Sequence, residues 1–427
     1  MKELFLTRDN LTNKISYYHL LLLLASLPFD RFYSHVILIS FGVHTLINLD
    51  REHFKAVFKW RTLLLQSVFF VTVVSTIYTI NKPEAFNEWS KHLTIFLFPV
   101  FFCFTKLDLK KYKAPLLLGF SLVCTATIIY LFLSTIYTIR FYKLPFLTLY
   151  SGAFINHNFS EPIDMHATFF SMQVLIALVY LISVVVKEKA ILYKVFYAAC
   201  ICILFAGLFQ LCSKSVFFCL FISINLVVPF FLMTGRRWKF MLIAVCASIL
   251  LVVGLLRLNI FRDRYVIELK DDLSAPKTGG ETTDPRLARW DVAAELIAAS
   301  PVIGHGAGSE IGLLHEAYFK KKYYSSFLNN LNVHNQYLSF MIKSGIIGLA
   351  VYLVTLVFGF RESIMKKDLL FFTFMLLLAI VSLSENFLDV DKGIFFYAFF
   401  FSFFVFSEDK KKVIIAPKTL ELEDVII

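Results

Sequence analysis

The chain has 427 residues, of which 58% are apolar, 17% aromatic and only 17% charged, with a mean hydropathy of +0.71. A soluble domain carries nearer a quarter charged residues, so most of this chain is solvated by lipid, and its length counts spanning helices of roughly 20 apolar residues each. The net charge of +11 excludes little by itself, but the Lys and Arg residues fall in short runs between apolar stretches, a membrane-topology pattern and not a nucleic-acid face.

The polar stretch from Met1 to Lys14 leads into an apolar run without a small-residue cleavage site, and reads as a retained cytoplasmic arm. About twelve spans follow, at 15–29, 33–50, 63–80, 91–105, 114–138, 166–186, 194–211, 215–233, 239–259, 336–360, 369–384 and 393–407. The loops holding Arg51 to Arg61, Lys106 to Lys113, Lys187 to Lys194, Arg236 to Lys239, Arg361 to Lys367 and Lys410 to Lys412 are basic and alternate along the chain. Basic loops stay on the cytoplasmic side, which places both termini inside and the intervening loops outside. The resulting organisation is nine spans in 1–259, one large outward loop in 260–335, three spans in 336–407 and a cytoplasmic tail in 408–427.

Two outward loops are long enough to hold structure. Arg140 to Met165 ends in a polar run, Asn156 to Pro162. The larger loop opens with Phe261-Arg262-Asp263-Arg264-Tyr265 and continues through a Gly-, Thr- and Lys-rich stretch, Ser274 to Thr283, that reads as disordered. A helix then has its N-cap at Asp284, its first helical position at Pro285, and an apolar stripe of Leu287, Trp290, Ala294, Ile297 and Ala298. Ser300-Pro301 ends it, Gly304-His305-Gly306-Ala307-Gly308 makes a tight turn, and a second short helix runs from Ser309 to Lys322. The seven cysteines all lie in or beside apolar spans, which reads as packing and not as a disulfide or zinc framework.

The candidate chemistry is cationic. Arg286 and Arg289 project from neighbouring positions of one helix, Arg262 and Arg264 flank the loop entry, and Lys214 sits in an outward turn. Guanidinium groups suit phosphate oxygens because their donor fork is planar and permanently charged. His334, beside Asn335 at a membrane boundary, can take a proton from an attacking hydroxyl or hydrogen-bond a diphosphate. His166 and Glu385 sit at outer ends of spans, where polar groups are costly. His305 and His315 carry weaker signals. The pattern Asp389-Val390-Asp391 has metal-ligand spacing but reads as a solvated loop. There is no HExxH and no P-loop, which argues against a metalloprotease or an ATPase.

Four strings occur in order: Arg286-Leu-Ala-Arg-Trp290, Ser300-Pro-Val-Ile-Gly304-His-Gly306-Ala-Gly308, Val333-His-Asn-Gln-Tyr337, and Lys343-Ser-Gly345-Ile-Ile-Gly348. As a set they resemble the O-antigen ligase and polymerase family. Lys214 stands where many members have Arg, which keeps the charge and loses the bidentate geometry. The resemblance implies an all-α, GT-C-like polytopic glycosyltransferase of the bacterial inner membrane, with its active loop in the periplasm. It implies an undecaprenyl-diphosphate-linked glycan as donor, a lipid A-core sugar or another glycan as acceptor, and no nucleotide, metal or other cofactor. In that light Arg286 and His334 are the catalytic candidates. Arg289, Arg264 and Lys214 bind the diphosphate, and Asn335, Tyr337, Trp290, His166 and Glu385 shape the site. One dominant outward loop favours a ligase. A polymerase of the same family is the alternative, and a transporter of a lipid-linked substrate is disfavoured because the spans hold few charges.

Overall fold

The computed structural model of the chain describes residues 7–49, 51–233, 235, 237–257, 262–272 and 285–407. Every expected span coincides with a helix, and no strand occurs among the described residues. Phe261, Arg236, the stretch Ser274 to Thr283, the Asp284 cap and the basic run Lys410 to Lys412 lie outside the described residues.

Many of the apolar runs begin at an Asn or Asp whose side chain accepts from the first turn. Asn10 accepts from Asn13 N–H, Asp30 from Phe32, Asn81 from Glu84, Asp108 from Lys111, Asn335 from Tyr337 and Leu338, and Asp368 from Leu370 and Phe371. These caps satisfy donors that lipid cannot, and they set where each helix starts. Six helices are long and apolar enough to cross a membrane among the described residues: Leu109–Phe141, Ala167–Lys187, Ile191–Leu211, Lys214–Leu232, Arg237–Gly254 and Gln336–Met365. The others are short, such as Leu369–Val381, or carry charges in their N-terminal half, as Lys82–Phe104 does at Glu84, Glu88 and Lys91.

Ala167–Lys187 and Asp391–Phe406 run through the centre of the bundle, buried along nearly their whole length. Aromatic packing holds the second in place. Phe98 meets Phe395 edge-on at 4.9 Å and Phe399 at 5.4 Å, and Phe374 packs on Phe396 and Phe404. Such contacts matter here because lipid tails are as apolar as the side chains, so van der Waals fit and not hydrophobic transfer drives helix association.

The helix Gln336–Met365 contains a break at Gly345, with φ 60° and ψ −160°, a conformation that favours glycine. A break leaves carbonyls and N–H groups without helical partners. The glycine turn supplies them. His305 N–H donates to Ile342 O and Gly306 N–H to Lys343 O, both at 2.8 Å, while Ile346 N–H donates to Pro301 O at 2.9 Å and Ile347 N–H to Val302 O at 3.5 Å. A Cβ on Gly304 would lie 2.6 Å from the Ser344 and Gly345 nitrogens, so this approach needs glycine on both strands. The two motifs that look separate in sequence thus form one splice between loop and membrane helix.

Candidate functional site

Above the bundle, a small core of Val292, Ala293, Leu314, Tyr318, Val333 and Ile342 seats the loop helices Arg286–Ala299 and Glu310–Lys320. The expected apolar stripe is only half right. Trp290 and Ile297 pack on this core, but Leu287, Ala294 and Ala298 face outward, and the buried face is Ala288, Arg289, Val292 and Ala293. The physical reason is Arg289, which is only 4% exposed. Its guanidinium is directed inward, and the face carrying Ala288, Arg289, Val292 and Ala293 lies roughly 160° around the helix from the centre of the apolar stripe.

Arg289 Nη1 lies 3.3 Å from His334 Nδ1 and 3.5 Å from the Asn332 carbonyl, which is itself 3.2 Å from the same Nδ1. His334 has φ 51°, in the left-handed region, and its N–H donates to Asn332 Oδ1 at 2.9 Å. Burial, together with the Arg289 and Arg286 charges, pushes the imidazole down to about 4, so it is neutral at ordinary pH. When Nδ1–H donates to Asn332 O, the Nε2 lone pair is open to a hydroxyl proton. When Nδ1 accepts from Arg289, Nε2–H is a donor suited to phosphate.

Arg286 diverges from Arg289. Its Nη1 donates to Ser384 O at 3.0 Å and its Nε lies 3.5 Å from Asp272. Lys214 reaches the same Asp272 at 3.4 Å and Glu268 at 3.5 Å, and Glu268 also pairs with Arg264. Glu385 lies in the field of Arg286, Arg289 and Arg264, and its carboxyl is raised to about 7 because burial outweighs those three positive neighbours. His157 and His166 meet edge-on with ring centroids 4.2 Å apart at the start of Ala167–Lys187, where His157 Nδ1 accepts from Ala167 N–H. Four expected cations, His334 and Glu385 therefore fall in one electrostatic cluster. Arg262 does not join it; it is exposed and pairs with Asp263.

Of the expected shaping residues, Trp290 donates from Nε1 to Val333 O at 3.1 Å, and Asn335 caps the next helix. Tyr337 turns away from the cations, donating to Ala379 O at 2.9 Å. His305 Nε2–H donates to Leu296 O at 2.8 Å, and His315 stacks on Phe327, which makes both parts of the loop scaffold.

Beside the cluster opens a cavity of about 780 Å³. Its walls are apolar, with Phe209, Phe217, Phe221 and Leu251 among them, and Lys214, Asp272, Arg286 and Ser384 lie on its lining. The acidic partners Glu268 and Asp272 are invisible to a search for cations. The i, i+4 spacing of Glu268 after Arg264 is the one signal that could have found the first of them.

A second polar cluster is also missed by sequence reading. Lys343, 6% exposed, places its ammonium 2.9 Å from Glu88, 2.6 Å from Asp389 and 3.8 Å from Glu310. The expected solvated loop at Asp389 to Asp391 is therefore corrected: Asp389 is paired with Lys343 and accepts from Asn386, while Asp391 pairs separately with Arg31. Glu88, His92 and Asp389 do bring ligand atoms within 4.8 Å of one another. The Lys343 ammonium is already the cation between two of them, and both His92 nitrogens are engaged, with Thr72 Oγ1 at 2.8 Å and Leu388 O at 2.7 Å. A divalent ion does not fit these residues as they are arranged.

Fold and site together define an all-helical, multi-pass membrane protein with a cationic cluster beside an apolar cavity. The family model for O-antigen ligase matches residues 198–353, from within the helix Ile191–Leu211 through the loop to just past the Gly345 break, and this supports a member of the O-antigen ligase and polymerase family. The family implies a glycosyltransferase-type enzyme that handles lipid-linked glycans in O-antigen assembly. No curated protein matches the chain.

Proposed function

We propose that the chain is an O-antigen ligase, moving an undecaprenyl-diphosphate-linked glycan onto a sugar hydroxyl of lipid A-core. The observation that carries this reading is the pairing of one apolar cavity with Lys214 and Arg286 on its lining. A polyprenyl diphosphate needs those two environments side by side. In this reading the tail lies along Phe217 and Phe221, and Lys214, Arg264, Arg286 and Arg289 face the diphosphate. The acceptor oxygen attacks the anomeric carbon, the bond from that carbon to the diphosphate oxygen breaks, and undecaprenyl diphosphate leaves with the electron pair. His334 takes the acceptor proton. The departing negative charge meets cations already in place, which is what lowers the barrier. Hydropathy supports about twelve spans, the family resemblance implies a GT-C-like arrangement, and the alternation of basic loops supports cytoplasmic termini and a periplasmic loop 260–335.

The test is transfer by purified protein from lipid-linked glycan to lipid A-core. Product from wild type and none from His334→Ala supports the reading; elongation of the donor with no transfer to core would select the polymerase instead.

Two further outcomes are expected. Asp272 lies 3.4 Å from Lys214 and 3.5 Å from Arg286, on the two cations assigned to the diphosphate. Asp272→Asn should therefore tighten undecaprenyl diphosphate by about three- to tenfold in a titration, the size of one partly exposed ion pair. Unchanged or weaker binding contradicts it. The second concerns pH. His334 acts neutral, and its acid limb in kcat/KM should lie near the value of about 4 to which its surroundings push it. Positive neighbours disfavour the imidazolium, so Arg289→Ala should move that limb upward, and activity should fail at a higher pH than in wild type. A limb that stays put or moves down argues against His334.

A further inference from the structure

His334 sits at φ 51°, and a residue other than glycine keeps that conformation only when its neighbours are held on both sides. They are. The N–H of Val333 donates to Glu310 Oε1 at 3.3 Å. The N–H of Asn335 donates to Asn386 Oδ1 at 2.7 Å, and the Asn386 amide donates in turn to Glu310 Oε1 at 2.9 Å. One carboxylate oxygen thus holds the residue before His334 directly, at its N–H, and the peptide after His334 through one side chain. The other oxygen accepts from Ser339, and Lys343 lies 3.8 Å from it. Lys343 lies two residues before the break at Gly345, which is spliced to the turn that leads into Glu310. Glu310 is 3% exposed and makes no contact with the cavity or its cations.

We infer that Glu310 is the positioning residue of the site: through Val333 and Asn386 it holds His334 in its left-handed conformation against Arg289. This rests on the reading of His334 as the group that acts on the acceptor. Glu310 touches neither donor nor acceptor, so its loss slows the chemical step and leaves donor binding intact. A displacement of about 1 Å in a reacting group is enough to cost on the order of 100-fold.

The test uses the full-length protein in detergent or nanodiscs and the transfer assay. Glu310→Ala should lower kcat by about 100-fold with donor KM within about threefold of wild type. Glu310→Gln, which keeps the oxygen that accepts from Val333 and Asn386, should recover kcat to within about tenfold. Asn386→Ala cuts only the branch to Asn335, and should lower kcat about tenfold without raising KM. If Glu310→Ala does not fold, the Gln and Asn386 variants decide the matter. Full kcat in Asn386→Ala, or a rise in KM as large as the fall in kcat in either variant, overturns the inference. A wild type that transfers nothing sinks the reaction reading alone. Positioning is then read from the emission of Trp290, whose indole donates to Val333 O, in a protein with the other three tryptophans changed to Phe. A shift in Glu310→Ala that Glu310→Gln reverses supports the inference, and no shift overturns it.

Discussion

Arg286→Ala is expected to lower kcat/KM for glycan transfer by about 10²–10³-fold, the usual cost of removing one preplaced group that meets developing negative charge. Three features make the effect large. The guanidinium lines the cavity and is oriented by the Ser384 carbonyl at 3.0 Å, so little is lost in arranging it when substrate arrives. It stands at the first turn of Arg286–Ala299, where the helix dipole adds to its positive field. It also helps keep His334 neutral and offsets the burial of Glu385. Arg286→Lys should recover only part of the loss, because an ammonium keeps the charge and forfeits the fork that bonds Ser384 while facing phosphate. Wild-type turnover in Arg286→Ala would remove this side chain from the reaction.

Gly345→Ala should cost about 2–6 kcal/mol, seen as a large fall in the melting temperature of the detergent-solubilised protein or as loss of the monodisperse species. Two effects combine. The position has φ 60° and ψ −160°, which strains any residue with a Cβ, and the Cβ would run into the Val302 carbonyl. Relief requires withdrawing the turn, and the turn's amides satisfy the Ile342 and Lys343 carbonyls at the break. Withdrawal exposes those carbonyls and lets Lys343 drift from Glu88 and Asp389. Gly254→Ala is the matched control. Nothing lies within 4 Å of a Cβ there, so it should change stability by less than about 1 kcal/mol. Equal melting of the two variants would show that the splice contributes nothing.

The helices were legible because their signal is local: an apolar run of spanning length between polar loops. The cations and His334 could be singled out because their residue types and motif order mark them; the structure sets Arg289 on His334 and links Arg264, Arg286 and Lys214 through Glu268 and Asp272. What escaped is what depends on distant pairing. Glu310 and Asn386 are separated by 76 positions, and Lys343 and Glu88 by 255. No periodicity announces a buried ion network of that reach. The inward face of Arg286–Ala299 was misjudged for a related reason: an apolar stripe predicts burial by transfer to the core, whereas Arg289 is buried by its partners. Asp389 was misread in the same way, as a carboxylate in water, because its cation comes from another helix.

The central claim is that Lys214, Arg264, Arg286 and Arg289 receive a polyprenyl diphosphate whose tail fills the cavity beside them. The most direct measurement is a structure of the protein with undecaprenyl diphosphate. The account predicts phosphate oxygens within about 3 Å of Arg286 and Lys214, with Asp272 displaced from both and the first isoprene units against Phe217 and Phe221. A diphosphate bound away from these cations, with Asp272 still on Lys214 and Arg286, would contradict it.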